Sequence, residues 1–263
     1  MAAEKAGIRM VTPNELFSLE GKVALVTGGS RGLGRQMVLA FAAAGADVAI
    51  VSRKIETCEE VAEEVRAMGR KAFPYACHVG RWDQVGEMAQ AVHDHFGKID
   101  ILVNNAGMSP QYDTLLDVSE QMYDSVMNLN LKGVFRLSAV VGDMMVKDGG
   151  GSIINVSSIA SIMPSVVEIP YAAAKAGINN LTVGLSKYYG PTVRVNAIMP
   201  GPFLTDVAKA WDIDAMTKRI EGISSLKRLG NPDEVVGAAL YYASNASSYT
   251  TGTVLTIDGG CTS

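Results

Sequence analysis

The chain has 263 residues, of which 48% are hydrophobic and 19% charged, and this length and composition fit one globular α/β domain. Its formal net charge of −4 gives no basic footprint for nucleic acid, and no stretch approaches the roughly 18 apolar residues that span a membrane. The three cysteines and three histidines have neither disulfide nor metal-site spacing. We therefore expect a cytoplasmic protein with no metal, nucleic-acid or membrane partner.

The first extended segment leads directly into a glycine-rich turn. Residues 1–19 are predicted to be an N-terminal extension, and residues 20–263 a single dinucleotide-binding catalytic domain. Residues 22–27 are apolar on both faces, as in a buried parallel strand, and a helix is predicted over residues 35–44. Glycines between a strand and a helix let the backbone approach a pyrophosphate, which the N–H groups of the helix N-terminus can bind. The predicted phosphate contacts are Gly28, Ser30, Arg31, Gly32, Leu33 and Gly34.

The second predicted strand, residues 47–51, is followed by cations instead of an acid. Ser52, Arg53 and Lys54 come directly after it. NAD-binding folds usually place an acid about 20 residues past the glycines to bind the ribose 2′-hydroxyl, whereas an arginine accommodates the 2′-phosphate of NADP. Arg31 and Arg53 can hold that phosphate together, so the sequence predicts NADP(H) as cofactor. A solvated run of charges is the alternative.

Helices and extended apolar runs alternate through the middle of the chain. Helices are predicted around residues 55–68 and 83–96, and strands at residues 71–76 and 99–103. This alternation predicts an α/β fold with one Rossmann-type, doubly wound parallel sheet and helices on both faces. Ligands bind such sheets at the carboxyl ends of the strands, although asparagine and glycine also favour plain turns there. The expected cofactor contacts after the fourth strand are Asn105, Ala106 and Gly107.

A long helical stretch, residues 119–147, contains Asn130 in its interior. Asparagine is a poor interior helix residue, so Asn130 predicts a local distortion with a function. An asparagine on a helix surface is the alternative.

A tyrosine and a lysine share one face of the next predicted helix. A strand at residues 151–156 leads to Ser158, and Tyr171 and Lys175 follow at i and i+4 of an alanine-rich segment. A nearby cation stabilises a phenolate, so we expect Lys175 to lower the pKa of Tyr171 and make it a usable acid/base. An isolated match of this spacing more often describes a packed tyrosine and a solvated lysine. In this chain the Tyr171 and Lys175 spacing occurs together with Ser158 and the glycine turn, and this combination favours a catalytic role.

The C-terminal part supplies two more strands and a less regular segment. Strands are predicted at residues 193–198 and 253–257, and a helix opens at Asn231. Residues 203–230 follow a strand's carboxyl end, which is typical of a lid or substrate loop. The apolar residues of this segment argue against a small polyol as substrate. Its basic residues could bind an acidic carrier protein or coenzyme A phosphates, or could simply be solvated. The apolar set is Phe203, Leu204, Val207, Trp211 and Met216, and the basic set is Lys209, Lys218, Arg219, Lys227 and Arg228.

In order and spacing, these motifs resemble the short-chain dehydrogenase/reductase family over nearly the whole chain from about residue 20. They are Thr27-Gly28-x-x-x-Gly32-x-Gly34, Asn104-Asn105-Ala106-Gly107, Asn130, Ser158, Tyr171-x-x-x-Lys175 and Pro200-Gly201. The resemblance implies a single Rossmann-type domain, a nicotinamide cofactor and a homotetramer. It implies that Tyr171 is the catalytic acid/base, that Lys175 lowers its pKa and holds the nicotinamide ribose, that Ser158 donates to the substrate oxygen, and that Asn130 positions a water for proton relay.

The resemblance also implies cofactor contacts outside the glycine turn. Phe203 and Thr205 resemble contacts to the nicotinamide amide, and Ser52-Arg53 matches the NADP-preferring pattern. His78 stands where the family more often has an aspartate that contacts the adenine, so it either hydrogen-bonds the adenine differently or packs there. The remaining implied contacts are Val79, Pro200 and Gly201.

The implied reaction is reversible hydride transfer between NADP(H) and a ketone, aldehyde or secondary alcohol, with a carbonyl or 3-oxoacyl thioester reductase favoured. The run Cys77-His78-Val79-Gly80 together with Ser52-Arg53-Lys54 is similar to a branch of NADPH-dependent carbonyl reductases. Steroid or retinoid and polyol dehydrogenases are alternatives. A catalytically silent NADPH-binding sensor or scaffold is another, although such a protein need not keep Asn130, Ser158, Tyr171 and Lys175 together.

Overall fold

Strands and helices alternate along the chain, and the strands form one sheet. The computed structural model describes residues 11–205 and 213–263, without the side chains of residues 213–215. Its strands are β1 Val23–Thr27, β2 Asp47–Ser52, β3 Ala72–Ala76, β4 Ile101–Asn104, β5 Gly151–Val156, β6 Val193–Pro200 and β7 Val254–Ile257. They are all parallel, in the order β3-β2-β1-β4-β5-β6-β7.

Nine α-helices connect or flank these strands in the described part of the chain. They are α1 Pro13–Phe17, α2 Gly32–Ala43, α3 Ile55–Ala67, α4 Trp82–Phe96, α5 Glu120–Met127, α6 Gly133–Lys147, α7 Ile169–Tyr189, α8 Ile213–Ile223 and α9 Val236–Ala243. None of them is long and apolar enough to cross a membrane.

The residues of β1 show why helices cover both faces of the sheet. All five are buried, and successive side chains of a strand point to opposite faces. Ala24 and Val26 join the core formed with α2, α3 and α9. Leu25 joins the opposite core, formed with α4, α6 and α7. The predicted doubly wound parallel sheet is therefore confirmed.

The direction of winding reverses between β1 and β4, which are neighbours in the sheet. The chain moves outward from β1 through β2 to β3, and then returns to continue from β4 to β7. The chain therefore runs in opposite directions across the sheet after β1 and after β4, and ligands of doubly wound sheets bind at such a point.

The distortion predicted at Asn130 is present. Residues Asn128–Lys132 form a π turn between α5 and α6. Such turns are frequent at functional sites. Gly133 follows the turn, and a Cβ atom there would lie 2.0 Å from the Val79 carbonyl oxygen, so only glycine permits this approach of α6 to the loop after β3.

The structure adds detail to two predicted segments. Residues 203–230 were expected to be less regular, yet residues 213–223 form α8; Val207, Lys209 and Trp211 lie outside the described residues. In the predicted extension, Leu19 is only 1% exposed, and its N–H donates to the Ala44 carbonyl at 2.8 Å. Leu19 therefore already packs with the domain.

Candidate active site

The glycine turn after β1 allows the backbone to fold closely on itself. Gly28 and Gly32 have positive φ angles of 65° and 55°, which favour glycine. A Cβ atom on Gly34 would lie 2.2 Å from the Gly28 carbonyl oxygen. Moreover, α2 begins at Gly32, inside the glycine run, so the glycines form the first turn of the helix. This backbone cradle fits a pyrophosphate group.

Hydrogen bonds tie the end of β1 to the end of β4. The Thr27 hydroxyl oxygen accepts from the N–H groups of Asn105 and Ala106 at 3.0 and 3.2 Å. The Asn105 side-chain amide donates to the carbonyl oxygens of Thr27 and Gly28 at 3.0 and 3.2 Å. The predicted cofactor contacts at the ends of β1 and β4 therefore lie next to each other.

A cavity of about 310 Å³ opens beside the glycine turn. Thr205 reaches its rim, since a Cβ atom on Gly32 would lie 3.6 Å from the Thr205 side chain. The lining residues are Ser30, Arg31, Gly32, Arg35, Gln36, Leu204, Thr205 and Pro232. Three predicted phosphate contacts and one predicted nicotinamide contact therefore share one cavity.

Of the predicted 2′-phosphate residues, Arg53 and Lys54 follow β2, and Arg31 lies in the glycine turn as the N-cap residue of α2. Arg31, Arg53 and Lys54 are exposed, and within the described residues neither arginine has a side-chain hydrogen bond or ion pair. The Ser52 hydroxyl donates to the Lys54 carbonyl at 3.2 Å and so holds the turn. Two unengaged guanidinium groups suit a phosphate, which binds them through paired hydrogen bonds.

His78 uses one ring nitrogen to hold its own turn. Its Nδ1 atom accepts a hydrogen bond from the Gly80 N–H at 3.2 Å. The proton of the neutral ring must therefore be on Nε2, which remains able to donate. His78 is half-buried and Val79 is buried beside it. His78 can therefore pack in this turn and still donate a hydrogen bond from Nε2 to an adenine.

The segment after β6 is anchored to its neighbours. Pro200 ends β6, and the Gly201 N–H donates to the Ile257 carbonyl at 2.8 Å. The Phe203 ring is 6% exposed and packs at Gly230. The ring therefore acts as an anchor, and Thr205 is the side chain of the predicted pair that reaches the cavity.

The hydroxyl groups of Ser158 and Tyr171 meet in the site. Tyr171 lies in the first turn of α7, after Pro170, and the Ser158 side chain is close enough to its phenol to stabilise the phenolate. The Ser158 oxygen also accepts from the Ala160 N–H at 3.2 Å, which fixes its direction. Two hydroxyls that converge can bind one substrate oxygen.

Lys175 is buried behind this pair. Its side chain is 4% exposed, and Nζ lies 5.6 Å from the centroid of the Tyr171 ring. Nζ donates to the Val156 carbonyl at 2.7 Å. A Cβ atom on Gly107 would lie 3.7 Å from Nζ, so the loop after β4 passes close to the ammonium. Burial lowers the pKa of Lys175 to about 8.

The expectation that Lys175 lowers the pKa of Tyr171 is wrong for this structure. Burial raises the pKa of the Tyr171 phenol to about 12; the neighbouring Ser158 side chain opposes this rise, and the charge of Glu168 adds to it. The physical reason is desolvation, the largest of these effects, which disfavours the charged phenolate. The Lys175 ammonium is also engaged with the Val156 carbonyl.

Asn130 is fully buried in the π turn, and its side chain makes three hydrogen bonds. The amide nitrogen donates to the carbonyl oxygens of Met108 and Val126, both at 2.9 Å, and the amide oxygen accepts from the Met108 N–H at 3.2 Å. The side chain fixes the loop after β4.

Three site residues were missed by sequence reasoning. The Ser109 hydroxyl donates to the Glu168 carboxylate at 2.6 Å, and the Ile169 N–H donates to the Tyr112 hydroxyl at 2.9 Å. These bonds join the loop after β4 to the start of α7. Glu168 precedes Tyr171 by three residues, and this i, i+3 spacing could have indicated from the sequence that the two side chains are neighbours. Nothing local marks Ser109 or Tyr112.

The fold and the converging hydroxyl, phenol and ammonium groups define a nucleotide-binding oxidoreductase. A family model described as Enoyl-(Acyl carrier protein) reductase matches residues 28–262. The chain belongs to the short-chain dehydrogenase/reductase family. It is an enzyme of the oxidoreductase class that acts on carbonyl or alcohol substrates, and its family binds nicotinamide cofactors.

Relatives in this family have different substrates. The chain is 39% identical to the 3-oxoacyl-[acyl-carrier-protein] reductase FabG of Thermotoga maritima, covering 92% of this chain and 98% of that protein. It is 40% identical to the sorbose reductase SOU1 of Candida albicans, covering 94% and 89%. The crystal structure of the NADPH-dependent 3-quinuclidinone reductase of Rhodotorula rubra superposes with a TM-score of 0.91 at 31% identity, covering 97% of both chains.

Proposed function

We propose that the protein is an NADP(H)-dependent reductase of ketones or aldehydes, acting on a simple carbonyl compound or a 3-oxoacyl thioester. The observation that carries this proposal is the convergence of the Ser158 hydroxyl, the Tyr171 phenol and the Lys175 ammonium, whose Nζ lies 5.6 Å from the centroid of the Tyr171 ring. The fit of the glycine cradle to a pyrophosphate supports the cofactor half of the reaction.

Ser158 and Tyr171 provide the proton chemistry. The bound cofactor supplies the hydride that reduces the carbonyl carbon. The two hydroxyls donate to the carbonyl oxygen and stabilise the negative charge that develops there. Tyr171 then gives its proton to that oxygen. With a pKa of about 12, the Tyr171 phenol is protonated at neutral pH, which is the form that reduction requires.

The preference for NADP(H) over NAD(H) rests on charge. Arg31 and Arg53 are exposed, and no acid follows β2 at residues 52–54. An acid there would bind the ribose 2′-hydroxyl, whereas these guanidinium groups attract the 2′-phosphate. The NADPH dependence of the reductase from Rhodotorula rubra agrees with this assignment.

Apolar side chains near the site favour a partly apolar substrate. Met163, Val166 and Leu116 are 44%, 78% and 97% exposed on the two loops that the Ser109–Glu168 hydrogen bond joins. Lys218, Arg219 and Lys227 are exposed beyond β6 and would suit the phosphates of a carrier-linked acyl group. Arg228 is less available, because it forms an ion pair with Glu234.

We also propose a homotetramer in the cytoplasm. An apolar depression of about 630 Å³ lies between the π turn, α6 and α7. Its lining includes Met127, Leu131, Phe135 and Leu181, and Phe135 is 45% exposed, so a second subunit would bury apolar surface here. The three buried, unpaired cysteines are compatible with a reducing compartment.

The test is a substrate panel. Consumption of NADPH is followed with aliphatic, cyclic and sugar-derived ketones, steroid ketones and 3-oxoacyl thioesters, and each reaction is repeated with NADH. We expect turnover with at least one class and a higher kcat/KM with NADPH. Tight binding of NADPH without turnover of any member would instead favour the silent sensor or scaffold.

A further inference from the structure

Ser109 and Glu168 form a polar pair that the proposed reduction does not use. The Ser109 hydroxyl donates to Oε2 of the Glu168 carboxylate at 2.6 Å. Both residues are half-buried. Glu168 is the N-cap residue of α7, yet its side chain caps no backbone N–H of that helix. The carboxylate is therefore directed to Ser109 across the loop instead of to its own helix.

The pair lies beside the reacting groups. Glu168 and Tyr171 are at i and i+3 of one helical turn, and the charge of Glu168 acts on the Tyr171 phenol. Ser109 comes two residues after Gly107, which approaches the Lys175 ammonium, and directly after Met108, which Asn130 holds. A substrate whose carbonyl meets Ser158 and Tyr171 therefore has its neighbouring atoms near this pair.

The chemistry of the pair is that of an acceptor. The Ser109 proton is used in the bond to Glu168, so the pair offers the free carboxylate oxygen Oε1 and the lone pairs of the Ser109 hydroxyl. Among the described side chains, no cation pairs with Glu168, while the exposed groups nearby on both loops include Ile162, Met163 and Leu115. A carboxylate in such surroundings gains most from a charged or neutral hydrogen-bond donor.

We propose that Glu168 and Ser109 are specificity-determining residues that bind a hydrogen-bond donor, an ammonium or a hydroxyl group, carried by the ketone next to its reacting carbonyl. The same pair disfavours ketones with an anionic group at that position. This inference rests on the proposed reduction of a ketone at Tyr171, and it narrows the substrate class within that reaction.

The experiment compares four small ketones of similar size with wild-type enzyme and NADPH at neutral pH. They are butanone, which is neutral, acetoin, which carries a hydroxyl, dimethylaminoacetone, which carries an ammonium, and acetoacetate, which carries a carboxylate. We expect kcat/KM for acetoin and dimethylaminoacetone to exceed that for butanone by roughly tenfold, and that for acetoacetate to be lower.

Glu168→Gln removes the charge but keeps an acceptor for Ser109. In this variant the kcat/KM ratio of dimethylaminoacetone to butanone should fall roughly tenfold, and the ratio of acetoacetate to butanone should rise. The acetoin ratio should fall by a smaller factor, because the amide oxygen still accepts. Ser109→Ala should lower the acetoin ratio as well. Asp113→Asn is the control, because it removes one negative charge at an exposed residue of the loop that contains Ser109. It should leave all three kcat/KM ratios within about twofold of the wild-type values.

If the kcat/KM ratios relative to butanone are equal in wild type and Glu168→Gln, the inference is overturned. A merely structural role of Glu168 would change kcat/KM of all four ketones by the same factor. A binding measurement covers the case in which none of the ketones is reduced. Calorimetry with the NADPH complex should show that the amino alcohol dimethylamino-2-propanol binds roughly tenfold more weakly to Glu168→Gln than to wild type. Equal affinities would also overturn the inference. Failure to oxidise NADPH with any ketone would count against the proposed function alone.

Discussion

The buried side chain of Asn130 hydrogen-bonds both backbone groups of Met108. The Met108 N–H donates to the amide oxygen at 3.2 Å, and the amide nitrogen donates to the Met108 carbonyl at 2.9 Å. Met108 lies between Gly107, beside the Lys175 ammonium, and Ser109, bound to Glu168. The π turn thus positions the loop that lines the site.

Replacing Asn130 by leucine should destabilise the protein and impair catalysis together. Leucine leaves three buried backbone groups without their partners, so we expect the free energy of unfolding to fall by about 2–4 kcal/mol. Urea denaturation measures this change. Asn14→Leu, at an exposed position of α1, should change stability by no more than about 0.5 kcal/mol. Equal effects of both substitutions would contradict the positioning role.

Replacing Tyr171 by phenylalanine should remove the proton donor and leave the cofactor site intact. We expect kcat to fall by about 10²–10⁴, while the Kd for NADPH changes by less than about threefold. Steady-state kinetics and fluorescence titration provide the two values. Tyr249→Phe, at a fully exposed residue, serves as the matched control. Near-normal turnover of Tyr171→Phe would exclude the proposed role.

Replacing Arg53 by aspartate should reverse the cofactor preference. The carboxylate repels the 2′-phosphate and can bind a ribose 2′-hydroxyl, so kcat/KM should fall roughly tenfold or more with NADPH and rise with NADH. Lys187→Asp makes a similar charge change on an exposed part of α7 and should leave the ratio unaltered. The prediction fails if Arg53→Asp leaves the ratio of kcat/KM with NADPH to kcat/KM with NADH unchanged.

The buried Lys175 should make stability depend on pH. Burial lowers the pKa of Lys175 to about 8 in the folded state, whereas the unfolded chain has the ordinary value near 10.5. Between these values the unfolded state binds more protons, so the contribution of Lys175 to stability rises with pH across this window. Lys175→Met lacks this contribution. Compared with wild type, its relative stability should therefore be highest near pH 7 and decline towards about pH 10.

Urea denaturation of both proteins across this range measures the difference. Because the comparison is made with wild type at each pH, the titration of Tyr171 and of the rest of the chain largely cancels. A difference that stays constant with pH would show that the Lys175 ammonium is not desolvated.

A buried polar chain between β4, β5 and α7 gives a prediction about stability alone. The Asn104 amide donates to Asn155 at 2.9 Å, and the Asn155 amide donates to the Thr182 hydroxyl, also at 2.9 Å. Thr182→Val removes that acceptor and should lower the free energy of unfolding by about 1–3 kcal/mol. Thr182→Ser keeps the hydroxyl and should lose less. Thermal denaturation of the two variants would distinguish these outcomes.

The order of elements followed from local patterns in the sequence. The strand predicted at residues 151–156 is β5 with the predicted bounds, because Ile153, Ile154 and Val156 are β-branched and suit a strand that is buried on both faces. Asn130 indicated the π turn, because asparagine is unfavourable inside a helix. The start of α2 was predicted too late, since glycines normally break helices but here form the first turn.

The sequence by itself determined the sheet and indicated the candidate catalytic residues, because hydrophobic period and i, i+4 spacing are local properties. Tertiary structure alone decided that Ser109 meets Glu168, that Lys175 bonds the Val156 carbonyl, and that the pKa of Tyr171 is raised. These features depend on desolvation and on contacts between distant segments, and neither is encoded in the spacing of neighbouring residues.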